Sequence, residues 1–118
     1  MPVERVYVGR RGRNGAAVVR IVERGDARAL PARLDLFNHS PTGFEWGYGG
    51  SGPAQLALAL IADALGDDHI ALRLHQSYKL RVIAKLPRAR PWRLTQTEVL
   101  KAAADLLLPI ERGGDHAR

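Results

Sequence analysis

Three side chains have the chemistry for proton transfer: His39, Glu45 and His75. A histidine beside a carboxylate acts as a general acid and base, and this trio gathered in one cleft would suit a small hydrolase or transferase. His39 and Glu45 fall in the segment 37–52, which reads Phe-Asn-His-Ser-Pro-Thr-Gly-Phe-Glu-Trp-Gly-Tyr-Gly-Gly-Ser-Gly. Glycines let a backbone approach a phosphate closely, and the free N–H groups of a helix start hold anions. Asn38, His39, Glu45, Trp46, Tyr48, Gly49, Gly50 and Ser51 are therefore candidate ligand contacts. The segment is no nucleotide fingerprint. No Gly-Lys-Ser/Thr follows it, its glycine spacing departs from the dinucleotide pattern, and Pro53 removes one donor. Trp46 and Tyr48, two apart, would share one side of an extended segment and could stack bases or sugars. The plainer alternatives are a core plug for these aromatics, a packed or hydrogen-bonded role for His75, and local turn bonds for Asn38 and His39.

The second chemical signal is charge. The chain has 118 residues and a net charge of +6, with 18 Lys and Arg against 12 Asp and Glu. The charge is segregated along the chain. Residues 1–33 hold eight arginines and three acids, residues 34–70 hold five acids and no Lys or Arg, and residues 71–93 hold seven bases and no acid. The arginine fork matches phosphate geometry. Arg10, Arg11 and Arg13, together with Arg73, Arg81, Lys85, Arg88 and Arg90, form a candidate surface for nucleic-acid backbone or another polyanion. A merely solvated arginine-rich surface is the alternative. The reading needs Arg10–Arg13 and Arg81–Arg90 to share one side of the folded molecule.

Several classes are excluded at once. The chain has no cysteine, so disulfides, iron–sulfur clusters and thiol catalysis are impossible. Four scattered histidines include no His-x-x-x-His pair, and Asp63, Asp67 and Asp68 read as helix-end residues. No cofactor is implied. The longest apolar stretch, 56–62, is too short for a membrane span, and the first thirteen residues carry five charges and no apolar core. A cytoplasmic protein is the expectation.

The elements that must position these residues follow from periodicity. Residues 3–9 alternate, with Val6 and Val8 opposite Arg5 and Tyr7, and read as a strand. A turn at 10–15 ends in Asn14-Gly15, and 16–23 is a second β-rich run, which makes a hairpin. Gly25-Asp26 is a turn, with a short third strand near 27–30. The aromatics of 37–52 predict a loop folded onto the domain rather than a linker. Pro53 suits the first helical position, with Gly52 or Ser51 as cap. The helix at 54–65 is apolar nearly all round, with Gln55 and Asp63 as its polar residues, and must be central. Gly66 ends it. A second helix capped by Asp67 or Asp68 is expected to run to Leu86 on a stripe of Ile70, Leu74, Tyr78, Val82 and Leu86, stopped by Pro87. Residues 88–93 read as a connector. A capping box, Thr95 to Glu98, opens a third helix running to about Leu108, burying Val99, Leu100, Ala103, Leu106 and Leu107. The sum is α+β: an N-terminal antiparallel hairpin or small sheet packed against three C-terminal helices, in one domain over 1–110, with a polar, flexible tail at 111–118.

The run from Asn38 to Gln55, with its Gly-Tyr-Gly-Gly-Ser-Gly-Pro core, resembles the signature of a small bacterial and phage family catalogued as domain of unknown function 6166. The likeness extends from the Tyr7–Gly9 region through Leu-Ala-Leu-Ala-Leu-Ile-Ala-Asp to 73–86 and 94–98. It implies a single intact domain and carries over no catalytic residue. Three functions stay open from the residues: a non-catalytic module binding DNA, RNA or another polyanion, an interaction or homodimeric scaffold protein, and the small hydrolase or transferase. The charge pattern favours the first.

Overall fold

A computed structural model describes residues 4–108. Three strands come first: β1 (Val6–Arg11), β2 (Ala17–Glu23) and β3 (Asp26–Ala29). They are followed by α1 (Ser51–Leu65), α2 (Asp68–Arg81), a 3-10 turn (Ile83–Lys85), β4 (Trp92–Thr95) and α3 (Gln96–Leu107). The strands form one antiparallel sheet in the order β3-β2-β1-β4. This is the expected α+β architecture, a sheet on one side and three helices on the other. The expected tail at 111–118 lies outside the described residues.

β4 begins inside the stretch 88–93, where the sequence predicts a connector. It returns to pair with β1, Gly9 opposite Trp92 and Tyr7 opposite Leu94. Four residues are too few for a readable period, and the flanking prolines and arginines look like loop. The pairing also decides which side of β1 faces the core. The alternation is present, and it is Tyr7 and Gly9 that are buried, while Val6 and Val8 are only partly covered. Gly9 is obligatory, because the Trp92 ring occupies the space a side chain there would need. The β2–β3 turn is Arg24–Gly25, one residue earlier than expected, with φ of 54° and 84°; positive φ at both positions matches the right-handed twist of the hairpin.

α1 is the centre of the core, with Leu56, Ala57, Leu58, Ala59, Leu60 and Ile61 fully buried. It begins two residues earlier than expected. Gly50 is its N-cap, without a side-chain cap bond, and Pro53 is its third residue, where its missing N–H still costs nothing. Gly66 closes the helix in the left-handed conformation, φ 67°, donating to Ala62 O. α2 starts as expected, Asp67 Oδ1 accepting from Ile70 N at 3.0 Å. It stops at Arg81 rather than Leu86: Val82 leaves the helical region and the chain turns inward, which buries Ile83 completely. In α3 the Thr95–Glu98 capping box is present. Val99, Ala103 and Leu106 are buried, whereas Leu100 and Leu107, expected inside, are 39% and 41% exposed. The buried stripe is narrow, and each of these leucines sits about 100° round the helix from it.

Candidate functional site

The loop between β3 and α1 is held by the side chain of Gln55, which is fully buried. Its Oε1 accepts from His39 N at 2.8 Å and Ser40 N at 3.2 Å, and its Nε2 donates to Ala32 O at 2.7 Å and Phe37 O at 3.0 Å. A buried amide must find partners, and this one spends all four on the loop backbone. Trp46 is also fully buried. Its indole N–H donates to Pro87 O at 3.1 Å, and its ring meets Trp92 edge-on at 5.4 Å. Gly47, at φ 87°, donates to Ile83 O at 3.0 Å and lies so close to Arg88 that a Cβ would approach the Arg88 Cβ to 2.7 Å. The loop is therefore clamped onto α1 and onto the exit of α2.

The structure separates the two loop aromatics. Trp46 is core, while Tyr48 is at the surface with the Arg88 guanidinium 4.7 Å from its ring centre. Gly49 lies beside Leu80, Gly50 caps α1, and Asn38 and Ser51 are exposed. A polar recess of about 310 Å³ opens here between the hairpin and the start of α1, lined by Ser40, Thr42, Glu45, Tyr48, Ser51 and Gly52 among others. Glu45 places a carboxylate in it, ion-paired to Arg11 Nη1 at 2.8 Å.

That ion pair breaks up the proton-transfer trio. His39 and His75 do meet, Nε2 to Nε2 at 2.8 Å, while Glu45 is turned to Arg11. His75 is buried, and its Nδ1 faces the carbonyls of Leu72 at 2.8 Å and Ala71 at 3.2 Å. Carbonyls only accept, so Nδ1 carries the proton and the neutral ring offers Nε2 as acceptor; His39 Nε2 then donates. Phe37 stacks on the His39 ring at 4.2 Å. Burial, with the neighbouring His75 and Lys79, holds His39 below the ordinary histidine range. Asp63, expected as a helix-end residue, has a tertiary role: it accepts from Tyr7 Oη at 2.6 Å and Arg5 Nη1 at 3.0 Å. Burial and then this carboxylate push the Tyr7 hydroxyl far above its usual value.

The candidate bases are sorted by chain direction. β1 runs toward Arg11 and the hairpin turn. α1 starts at that end, beside Ala16 and Ala17, and finishes beside Arg5 at the other. α2 begins at the far end, where Asp68 pairs with Arg33 at 2.8 Å, and runs back. Its exit is tied to the hairpin: Arg11 Nε and Nη2 donate to Arg88 O at 3.2 and 3.0 Å. Arg11 thus meets the exit of α2 at Arg88, and Arg10 and Arg13 lie at the same end of the molecule as Arg81, Lys85 and Arg90, although Arg10, alternating with Arg11, is turned to the side of the sheet away from the helices. Arg73, eight residues before Arg81, lies about 12 Å back along the helix. Arg11 is partly covered, its guanidinium 4.3 Å from the Trp46 ring; Arg10, Arg13, Arg81, Lys85, Arg88 and Arg90 are exposed. Glu4, Glu23, Asp63, Asp68 and Glu98 sit at the opposite end, bonded to Thr97 N, Arg5, Arg5, Arg33 and Thr95 N respectively.

The family model described as a family of unknown function, DUF6166, matches residues 7–105. The chain belongs to this family. The DUF6166 match takes in every element of the fold, short only of the first residue of β1 and the last two of α3. No curated protein and no solved structure matches the chain. Two bases of this DUF6166 chain escaped the sequence reading: Arg20 on β2 and Arg93 on β4, both exposed. Arg20 had a signal, a lone charge in a valine-rich strand; Arg93 had none, because its strand was not legible. Gln55 was visible as a polar residue in an apolar helix, which is where a buried hydrogen-bond hub has to appear.

Proposed function

We propose that this protein is a non-catalytic binding module that holds nucleic-acid backbone through its arginine-rich end. The supporting observation is the convergence of two distant basic segments, 10–13 and 81–90, at the end where the Arg11–Arg88 hydrogen bonds close the structure. Among the described residues, Arg10, Arg13, Arg81, Lys85 and Arg90 have no carboxylate partner. Such cations bind phosphates by displacing condensed counterions, and a field of one sign steers a polyanion toward them. Arg11, tied to Glu45 and Arg88, is scaffold rather than contact. No helix among the described residues is long and apolar enough to cross a membrane.

The test is retention of labelled DNA or RNA by fluorescence anisotropy across a salt series. Replacing Arg81 and Lys85 together by Ala should weaken binding and flatten the log K against log salt slope by about 1.4 for a single strand or about 1.8 for a duplex. An unchanged slope, or no binding by the parent protein at low salt, defeats the proposal. A second reading, self-association, draws on Leu100 and Leu107, exposed seven residues apart and thus on one side of α3. Sedimentation of a Leu100→Lys, Leu107→Lys variant decides it: a parent dimer turned monomeric supports that reading, and a monomeric parent ends it.

A further inference from the structure

Among the described residues, the helices cover one side of the sheet and nothing packs on the other. The register places Val6, Val8 and Arg10 of β1 on that outer side, with Val18, Arg20 and Val22 of β2, Ala27 and Ala29 of β3, and Arg93 and Thr95 of β4. The four valines take no part in the hydrophobic core and do not pack against it. They are only partly buried, while Arg10, Arg20 and Arg93 are exposed. The strand acids Glu23 and Asp26 alternate to the other side, so the outer face of the strands carries three arginines and no carboxylate. Arg20 and Arg93 flank Val8 across the sheet, about 10 Å apart by strand spacing. Between Arg10 and Arg93 lies a largely apolar depression of about 330 Å³, floored by the backbone around Gly9 and Trp92 and edged by Val8 and Pro91.

We propose that this bare sheet face binds a single-stranded nucleic acid, with phosphates on Arg10, Arg20 and Arg93 and one unpaired base in the depression between Arg10 and Arg93. This rests on the backbone-binding reading above and extends it to a new surface and a substrate class. Charge complementarity selects the occupant. A second copy seated face to face would set the arginines against each other, a like-charge contact that opposes association. An uncharged apolar partner would leave three guanidinium groups to be desolvated without a partner. The face needs a ligand that is anionic and apolar at close intervals. A duplex keeps its base faces stacked inside and offers phosphates alone to a surface without a protruding helix or loop. A single strand offers both, and its bases pack on apolar side chains and guanidinium planes. Arg10 also belongs to the basic end, so a strand leaving the sheet at the hairpin turn passes directly to Arg13.

The experiment uses the full chain and three labelled probes in fluorescence anisotropy at 50 mM salt, on the order of the low-salt regime where backbone contacts dominate: an oligothymidylate, a duplex of equal length, and an abasic strand of equal length and charge. The single strand should bind about tenfold more tightly than the duplex and at least about fivefold more tightly than the abasic strand. Arg20→Ala with Arg93→Ala should weaken single-strand binding about tenfold while unfolding at an unchanged temperature. Val8→Glu, which puts a charge in the apolar row, should weaken it as much or more. Equal binding of the base-bearing and abasic strands overturns the proposal. If Arg81→Ala with Lys85→Ala weakens binding and Arg20→Ala with Arg93→Ala does not, the sheet-face site is wrong and the basic-end reading survives. A parent protein that binds no probe ends both. A glutamate-rich peptide with interspersed leucines that displaces the oligothymidylate at equal concentration would reassign the face to an acidic protein segment and overturn the proposal as stated.

Discussion

Replacing Gln55 by Leu should detach the 37–52 loop from α1. Leucine keeps the volume but removes both the acceptor for His39 N and Ser40 N and the donors to Ala32 O and Phe37 O. Four backbone groups lose their partners in a part of the loop where Ser40 is buried and the Gln55 position fully so. A buried polar group left unpaired costs about 1–3 kcal/mol, and with two of the four rehydrating as the loop lifts, the net loss is roughly 3–5 kcal/mol. In urea that moves the unfolding midpoint down by about 2 M. Amide exchange should show the second signature, lost protection at Gly47, whose bond to Ile83 O holds the far end of the loop. Gln55→Glu sharpens the test. The carboxylate keeps the acceptor yet faces two carbonyls in a buried site, so its folded pKa rises above the unfolded value near 4.3. A raised pKa contributes stability below the unfolded value and loses it as pH climbs through the folded one. Gln55→Glu should therefore lie closer to the parent at pH 4 than at pH 7. A Gln55→Leu loss below about 1 kcal/mol, or a Gln55→Glu variant indifferent to pH, would refute the account of the amide as the loop's hub.

Two further outcomes follow from the core and the histidine pair. Gly9→Ala places a methyl into the Trp92 ring and should cost about 1–3 kcal/mol as an overpacking substitution; a fully stable variant by thermal unfolding would show that β4 can shift without penalty. His39 has a lowered pKa, so between that value and its unfolded value of 6.5 the unfolded chain binds more protons and stability falls as pH drops. The melting temperature of the parent should decline on acidification below about pH 6.5 more steeply than that of His39→Gln, and parallel curves would remove the effect from this pair.

Much of this protein is written in local pattern. The capping box at Thr95–Glu98, the cap at Asp67, the Gly66 stop and the apolar run of α1 each depend on neighbours within a few residues, and each appears where expected. Other features depend on contacts dozens of residues apart. The buried side of β1 could not be read from its alternation, because Val and Tyr are both apolar enough to face a core; Asp63, 56 positions away, and Trp92 decide it. The end of α2 at Arg81 has no local breaker until Pro87; what stops it is the pull of Ile83 into the core and the bond from Gly47 to its carbonyl.

The candidate sites divide in the same way. Residue types alone determined that no thiol chemistry exists, that a glycine- and aromatic-rich loop precedes a buried helix, and that charge is separated along the chain. Only the tertiary structure decided that His39 and His75 touch without Glu45, that Trp46 belongs to the core and Tyr48 to the surface, and that the hairpin arginines join those at the exit of α2. The physical reason is direction. Charge spacing along a chain says which residues are basic, but whether distant ones become neighbours depends on how many times the chain reverses between them. Here α1 runs away from the hairpin turn and α2 runs back to it, which returns residues 81–90 to the arginines at 10–13.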